Sequence, residues 1–412
     1  MGQGRAPDGF DGAEGGEVAF GDDEVFFSRT DPAGIIQDGN SVFQRVSGYA
    51  WAELAGKPHK IIRHPGTPRA VFRLLWREIK AGRPIGAYVR NQAKSGDYYW
   101  VFATVTPIEG GYLSVRIKPG GELFGAVRDL YREGAALERE AGLDPDESLA
   151  WLGERLAALG FRDYRHFMAA ALQSELADRD RRLGRAGDEI TSAMQALRAA
   201  ADLLVRHAEA IAEQYDRNAF MPQNFQILAA HLGQSGAAMG AVSSNYLIIA
   251  EELNRCVERF GRSAREVHAT IHEGVFLAAV ARVQREMADF FRAEGGAGGV
   301  ADARRAENIA LLDRQRSDYG ERAGRGLEAI ARAAEGFRHD CAAMTRLSAG
   351  LEITRLIAKV ENARLPAADT ALNGLIDELG AFQQAVAAEL RRIELQNGQI
   401  SAGSATLARR LA

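Results

Sequence analysis

Two hydrophobic periods divide this chain. Ahead of residue 120 short strand and helix signals alternate, and beyond it apolar positions recur at helical spacing. Phe72, Leu75, Trp76 and Ile79 stand at i, i+3, i+4 and i+7, which is one apolar face of a helix. Thr67 is its expected N-cap, Pro68 its first helical residue and Gly82 its stop. In the segment 84–91, Ile85, Ala87 and Val89 share one face of a strand. Residues 94–97 make a hairpin turn, after which Tyr98, Trp100, Phe102 and Thr104 alternate with Tyr99, Val101, Ala103 and Val105. Glu109-Gly110-Gly111 turns the chain into a further strand over 112–118, and the apolar run 34–36 adds a short strand ahead of them. The expected fold is α+β, an antiparallel sheet with helices on one face.

The second region has a 3.5-residue period. Ile190, Met194, Leu197, Ala201, Leu204, Ala208, Ile211 and Tyr215 are spaced alternately by four and three, a coiled-coil seam about 39 Å long at 1.5 Å per residue. Leu372, Leu375, Leu379, Phe382 and Val386 repeat the spacing. Between them, the runs 225–232 and 242–253, separated by Gly233, Gly236 and Gly240, read as a helical hairpin near 224–253. Residues 295–299, Gly-Gly-Ala-Gly-Gly, read as a loop between helices; no Lys-Ser or Lys-Thr follows them, which excludes a P-loop. The region is expected to be an all-α long-helix or coiled-coil bundle.

Composition sharpens the boundary. Eight of the 11 prolines lie before residue 120, so nearly 300 residues with three prolines can hold long helices. The expected organisation is a disordered leader over 1–25, a mixed domain over 26–120, a helical connector over 121–180 and a helical signalling and dimerisation region over 181–412. The 412 residues carry 51 basic and 55 acidic side chains, a net charge of −4 that gives no reason to expect a nucleic-acid partner. No apolar run has the length of a membrane span, and residues 1–20 lack a signal-peptide core. Cys256 and Cys341 stand far apart and read as buried small residues in a cytoplasmic protein. No nucleophile–base or metalloprotease motif is present, so the chain does not read as an enzyme. His268 and His272, four apart with Glu273 adjacent, could be half of a metal site. Without a third ligand they read as a solvated or packed pair, and no metal is expected.

The string at residues 58–76, with Pro58-His59, Arg63-His64-Pro65, Pro68, Phe72 and Trp76, followed by Asn91, Gly96-Asp97 and Tyr99-Trp100-Val101, resembles the PAS domain of aerotaxis-receptor-type redox sensors. The resemblance covers about residues 26–118. It implies a PAS fold whose pocket holds FAD, with Asn40, Arg63, His64, Phe72, Trp76 and Asn91 at the flavin-pocket positions. The chemistry suits them: Arg63 offers a fork of donors to a phosphate, Asn40 and Asn91 can each donate and accept, and Phe72 and Trp76 can wall an aromatic ring. Each also has an ordinary reading, the aromatics as core and the asparagines as backbone partners. Gly66, Ile85 and Gln92 depart from the family's usual acid, tryptophan and arginine. The hairpin near 224–253 weakly resembles a chemoreceptor signalling tip, which implies a homodimer and contact with a chemotaxis kinase, its coupling protein or a receptor array. The expectation is a cytoplasmic PAS sensory transducer reading redox state or oxygen through FAD. A cofactor-free dimeric scaffold is the alternative, and a haem reading would rest only on His59 or His64 as axial ligand.

Overall fold

The computed structural model describes residues 15–186, 189–231, 237–294, 300–364 and 370–411. They fall into two compact units, one of residues 1–191 with 275–323 and one of residues 192–274 with 324–412. The expected boundaries at 120 and 180 do not coincide with these units.

The first unit is built on a five-stranded antiparallel sheet. Its strands are β1 (Phe26–Thr30), β2 (Ile36–Gly39), β3 (Ile85–Gln92), β4 (Tyr98–Ile108) and β5 (Gly111–Ile117), in the order β2-β1-β5-β4-β3. The sequence pattern finds β3, β4 and β5, places the short strand at 34–36 where β2 is Ile36–Gly39, and misses β1. Its Phe26 and Phe27 are both fully buried, so the strand does not alternate. The reason is that helices cover both faces of the sheet, not one. One face carries α1 (Ser41–Ser47), a 3-10 turn (His59–Ile62) and α3 (Arg69–Lys80), with the short α2 (Trp51–Leu54) between the first two in sequence.

The other face carries α4 (Glu122–Glu140) and α6 (Tyr164–Arg182): the Tyr88 ring meets Phe124 at 5.8 Å and Phe167 at 6.3 Å between centroids. It also receives residues 275–323, the end of α9 (Ala237–Ala293) and the start of α10 (Val300–Ala363). Phe291 packs edge-on against Phe27 at 5.1 Å, and Asn308 Nδ2 donates to Asp38 Oδ2 at 2.6 Å. Gly86 permits this approach, since a Cβ there would lie 2.9 Å from the Phe102 ring and 3.1 Å from Phe276.

Two local expectations are corrected. Helix α3 begins one residue later than expected, with Pro68 as N-cap. Thr67 instead reaches β3, its hydroxyl donating to Arg90 O at 2.9 Å and accepting from Arg90 N at 3.0 Å. The free N–H groups of α3 are taken by Glu138 of α4, which accepts from Arg69 N at 2.9 Å and Ala70 N at 3.3 Å. The leader is not disordered over 15–25. Val18 N donates to Tyr98 O at 2.8 Å, and Phe20 packs edge-on against Phe26 at 5.0 Å. Residues 1–14 lie outside the described residues.

Helix α5 (Pro145–Ala158) packs beside α3, with Arg73 paired to Asp146 at 3.0 Å. On α6, Glu175 is completely buried. Tyr88 Oη donates to its Oε1 at 2.6 Å, while Gly120 N and Gly121 N donate to its Oε2 at 2.7 and 2.9 Å. Gly121 is the N-cap of α4, so one carboxylate fastens the start of that helix to β3 and α6. Burial is the main influence on Glu175 and raises its pKa above the ordinary carboxylate value.

The second unit is an antiparallel bundle. It comprises α7 (Glu189–Arg217) from residue 192, residues 237–274 of α9, residues 324–363 of α10, α11 (Thr370–Leu411) and the short α8 (Met221–His231). Tyr215 Oη donates to Ala250 O at 2.9 Å, Phe260 stacks on Phe337 at 4.4 Å, and Asn397 Nδ2 donates to Ala334 O at 2.9 Å. Met194, Leu197, Ala201, Leu204, Ala208 and Ile211 of the predicted seam are all buried. That stripe is therefore spent inside one chain and is no evidence for pairing of copies. Gly240, expected in the turn of the hairpin, lies within α9; Gly233, Gly236 and residues 295–299 lie outside the described residues. Cys256 and Cys341 are buried free thiols, and burial pushes Cys341 up to about 12. Among the described residues no helix is long and apolar enough to cross a membrane.

Candidate functional site

The helical stripe that reads as a core face has another use. Phe72, Leu75, Trp76 and Ile79 of α3 line a cavity of about 460 Å³ in the first unit. The opposite wall is the sheet, which supplies every second residue: Ser28 and Thr30 from β1, Val89 and Asn91 from β3, Ala103 and Val105 from β4, and Tyr112, Ser114 and Arg116 from β5. Gly34, at φ 80°, closes one side; a Cβ there would stand 2.8 Å from the Trp76 ring. The size is that of small-molecule sites, about 300–1,000 Å³, and most of the lining is apolar.

The polar groups are divided in space. Lys60, Arg69 and Arg73 are exposed at the rim, beside the half-buried Arg63, whose guanidinium lies 3.9 Å from the Phe72 ring centroid. In the interior stands Arg116, only 3% exposed. Its Nη2 donates to Ser28 Oγ at 2.5 Å and lies 2.6 Å from His59 Nε2. Among the described residues, its Nη1 and the nearby Ser114 Oγ are buried without a hydrogen-bond partner, and no carboxylate pairs with the guanidinium. Burial brings Arg116 down to about 10. Loss of hydration, and then the Arg116 charge, hold His59 at about 3, so the ring is neutral and its Nε2 accepts.

Of the six residues that the resemblance puts at a flavin, the structure brings Arg63, Phe72, Trp76 and Asn91 to this cavity. It places Asn40 and His64 elsewhere. Asn40 caps α1: its Oδ1 accepts from Phe27 N at 3.0 Å and Phe43 N at 3.1 Å, and its Nδ2 donates to Val25 O at 2.7 Å. Asn40→Ala is expected to cost about 2 kcal/mol or more in urea unfolding, through a lost cap and stranded backbone groups, while leaving the ligand content of the folded fraction unchanged. His64 is buried off the wall, accepting from Gly66 N through Nδ1 at 2.9 Å, and burial followed by the Arg90 charge lowers it to about 4. His59, Ser28, Ser114 and Arg116 are cavity residues that the sequence reading did not select for FAD. For Arg116 the available signal was an arginine in the alternating strand 112–118, on the face shared with Ser114.

None of the three departures from the family pattern lines the cavity. Gly66 has no room for a side chain, since a Cβ would lie 2.9 Å from His64 Nδ1 and 3.1 Å from Arg90 Nη1. Ile85 is fully buried, and Gln92 ends β3.

A five-stranded antiparallel sheet with a ligand-sized cavity under its flanking helices defines a PAS domain, and residues 38–115 match the family described as PAS fold. The chain is 41% identical over 116 residues to the aerotaxis receptor of Escherichia coli (strain K12), covering 27% of this chain and 23% of that one. It is 29% identical over 99 residues to the nitrogen fixation regulatory protein of Klebsiella pneumoniae, covering 24% and 18%. The chain thus spans less than a quarter of the length of these curated relatives. A solved RNA-binding light-oxygen-voltage receptor matches at 22% identity over 29% of this chain and 34% of that one, with a TM-score of 0.21.

Proposed function

We propose that this chain is a PAS sensory transducer whose cavity holds FAD and whose helical region carries the output, in the manner of an aerotaxis receptor. The observation that carries the reading is Arg116, a buried guanidinium with an open donor, on the strand face it shares with Ser114 in a mostly apolar cavity that Asn91 also lines. Such a site lacks an acceptor-rich, partly anionic planar partner. An isoalloxazine edge supplies one, Phe72 and Trp76 can wall its ring, and the cations at the rim suit a pyrophosphate. A bound flavin would supply a redox couple whose charge and hydrogen bonding change with its electron count. His59 Nε2 is taken up by Arg116 and His64 lies off the wall, so the geometry favours flavin over haem.

The sheet offers a route outward. Asn91 and Val89 face the cavity, while Tyr88 on the other face of β3 donates to Glu175 of α6, whose carboxylate also accepts from the start of α4. A shift of β3 that follows cavity chemistry is a shift of that anchor. The long antiparallel helices of the second unit fit a chemoreceptor-like signalling segment. A second copy of the chain is the partner in this reading, and Ile353, Leu356, Ile357 and Val360, 45–61% exposed at i, i+3, i+4 and i+7 on α10, are its contact. Coupling to a chemotaxis kinase belongs to the same proposal and rests on the weak resemblance of residues 224–253 to a chemoreceptor signalling tip. Location in the cytoplasm is part of the same proposal.

The test is the absorption spectrum of the purified chain, followed by acid release of any chromophore and titration with FAD. Flavin bands near 450 nm that fade on reduction are expected. A colourless protein that takes up no FAD would discard the redox-sensor reading and leave the scaffold.

A further inference from the structure

The pair His268 and His272 acquires in the second unit the third group that its sequence lacks. That group is Asp202 of α7, not the neighbouring Glu273, which is exposed. His268 Nε2 lies 2.9 Å from Asp202 Oδ1 and His272 Nε2 lies 3.0 Å from the same oxygen. The two imidazole centroids are 4.2 Å apart, and the rings are only 5% and 2% exposed. The other carboxylate oxygen, Oδ2, is held by Arg198 one turn earlier on α7, at 3.2 Å.

We infer that Asp202, His268 and His272 form a binding site for a divalent transition-metal ion such as Zn²⁺. Two histidines at i and i+4 on one helix present both ring nitrogens to one point, as helical zinc motifs do. A carboxylate from a neighbouring helix completes a two-histidine, one-carboxylate set, and positions not filled by protein would hold water or a further ligand. Ligand atoms about 2.0–2.1 Å from a tetrahedral ion stand roughly 3.3 Å apart, so the observed separations need to open by only a few tenths of an ångström. The alternative use of the cluster, two imidazole N–H groups donating to one oxygen, needs no metal. The two uses differ in what they ask of the imidazoles: metal binding takes the Nε2 protons away, whereas the hydrogen-bonded cluster keeps them. A bound ion would pin α7 to α9 inside the bundle. This site is independent of the PAS cavity and of any flavin.

The experiment uses the full chain, stripped with a chelator and dialysed. Titration with Co²⁺ is followed between 500 and 650 nm, and Zn²⁺ content is measured after loading and desalting. One ion per chain is expected, together with a higher melting temperature in Zn²⁺ than in chelator. The double variant His268→Gln, His272→Gln is expected to bind at least 100-fold more weakly, and Asp202→Asn at least 10-fold, each with an unchanged far-ultraviolet circular dichroism spectrum. Absence of stoichiometric metal in the wild-type chain overturns the inference, and so does binding that survives the double variant. Should the variants not fold, the wild-type melting shift decides: no rise with Zn²⁺ overturns the site.

Discussion

Arg116→Met is expected to weaken flavin uptake at least tenfold and yet leave an empty domain that melts no lower than the empty wild type. Both halves follow from one feature. The guanidinium is buried and, among the described residues, has no carboxylate partner and no acceptor for Nη1. Removing a charged donor from a ligand costs about 1.5–3 kcal/mol, so FAD affinity should fall at least tenfold. Removing an uncompensated buried charge and filling its volume with a thioether is neutral or stabilising. The partners left behind are not stranded, because Ser28 Oγ and His59 Nε2 already lie 3.4 Å apart and can bond to each other. FAD titration by fluorescence quenching and a thermal melt of the apo protein measure the two quantities. Undiminished affinity would remove Arg116 from the site, and a marked loss of apo stability would make it a structural residue.

Glu175→Ala should be the most damaging single change outside the core aromatics, costing about 3 kcal/mol in denaturant unfolding. It strands a tyrosine hydroxyl and two backbone N–H groups in a dry environment, at about 1–3 kcal/mol per unsatisfied group with partial relaxation. Glu175→Gln keeps the shape and an acceptor, and should retain most of the stability. The pair also exposes a pH signature. A carboxyl whose pKa is raised on folding contributes stability fully present below the unfolded value, near 4.5, and lost as pH rises through the folded value. Glutamine does not titrate. The variant should therefore gain on the wild type as pH climbs above 4.5, and an advantage constant with pH would show that burial does not perturb this group.

The strands β3 to β5, helix α3 and the two bundle stripes are legible in the sequence because each has a clean period. Failures occur where tertiary structure uses residues twice. Strand β1 does not alternate because both of its faces are covered, one by neighbouring chain such as Phe20 and the other by Phe291 from a segment remote in sequence. The α3 stripe is correctly placed but is a cavity wall, since half-buried aromatics in a cavity and buried aromatics in a core have the same spacing. Asn40 falls at a family position yet is consumed by backbone, which no spacing could show. Asp202 stands 66 residues before His268, and only the antiparallel return of α9 along α7 brings them together.

The placement of residues 275–323 in the first unit also sets a schedule for biosynthesis. Phe27 and Gly86 leave the ribosome roughly 190 to 260 residues before the side chains that cover them, Phe276 and Phe291. At about 5–20 residues per second, that face of the nascent sheet is uncovered for on the order of ten seconds or more. During that interval the sheet is a sticky surface in need of temporary protection. A fragment ending near residue 120 would keep that surface for good, so the PAS domain cut free on its own is the form of this protein most prone to aggregate.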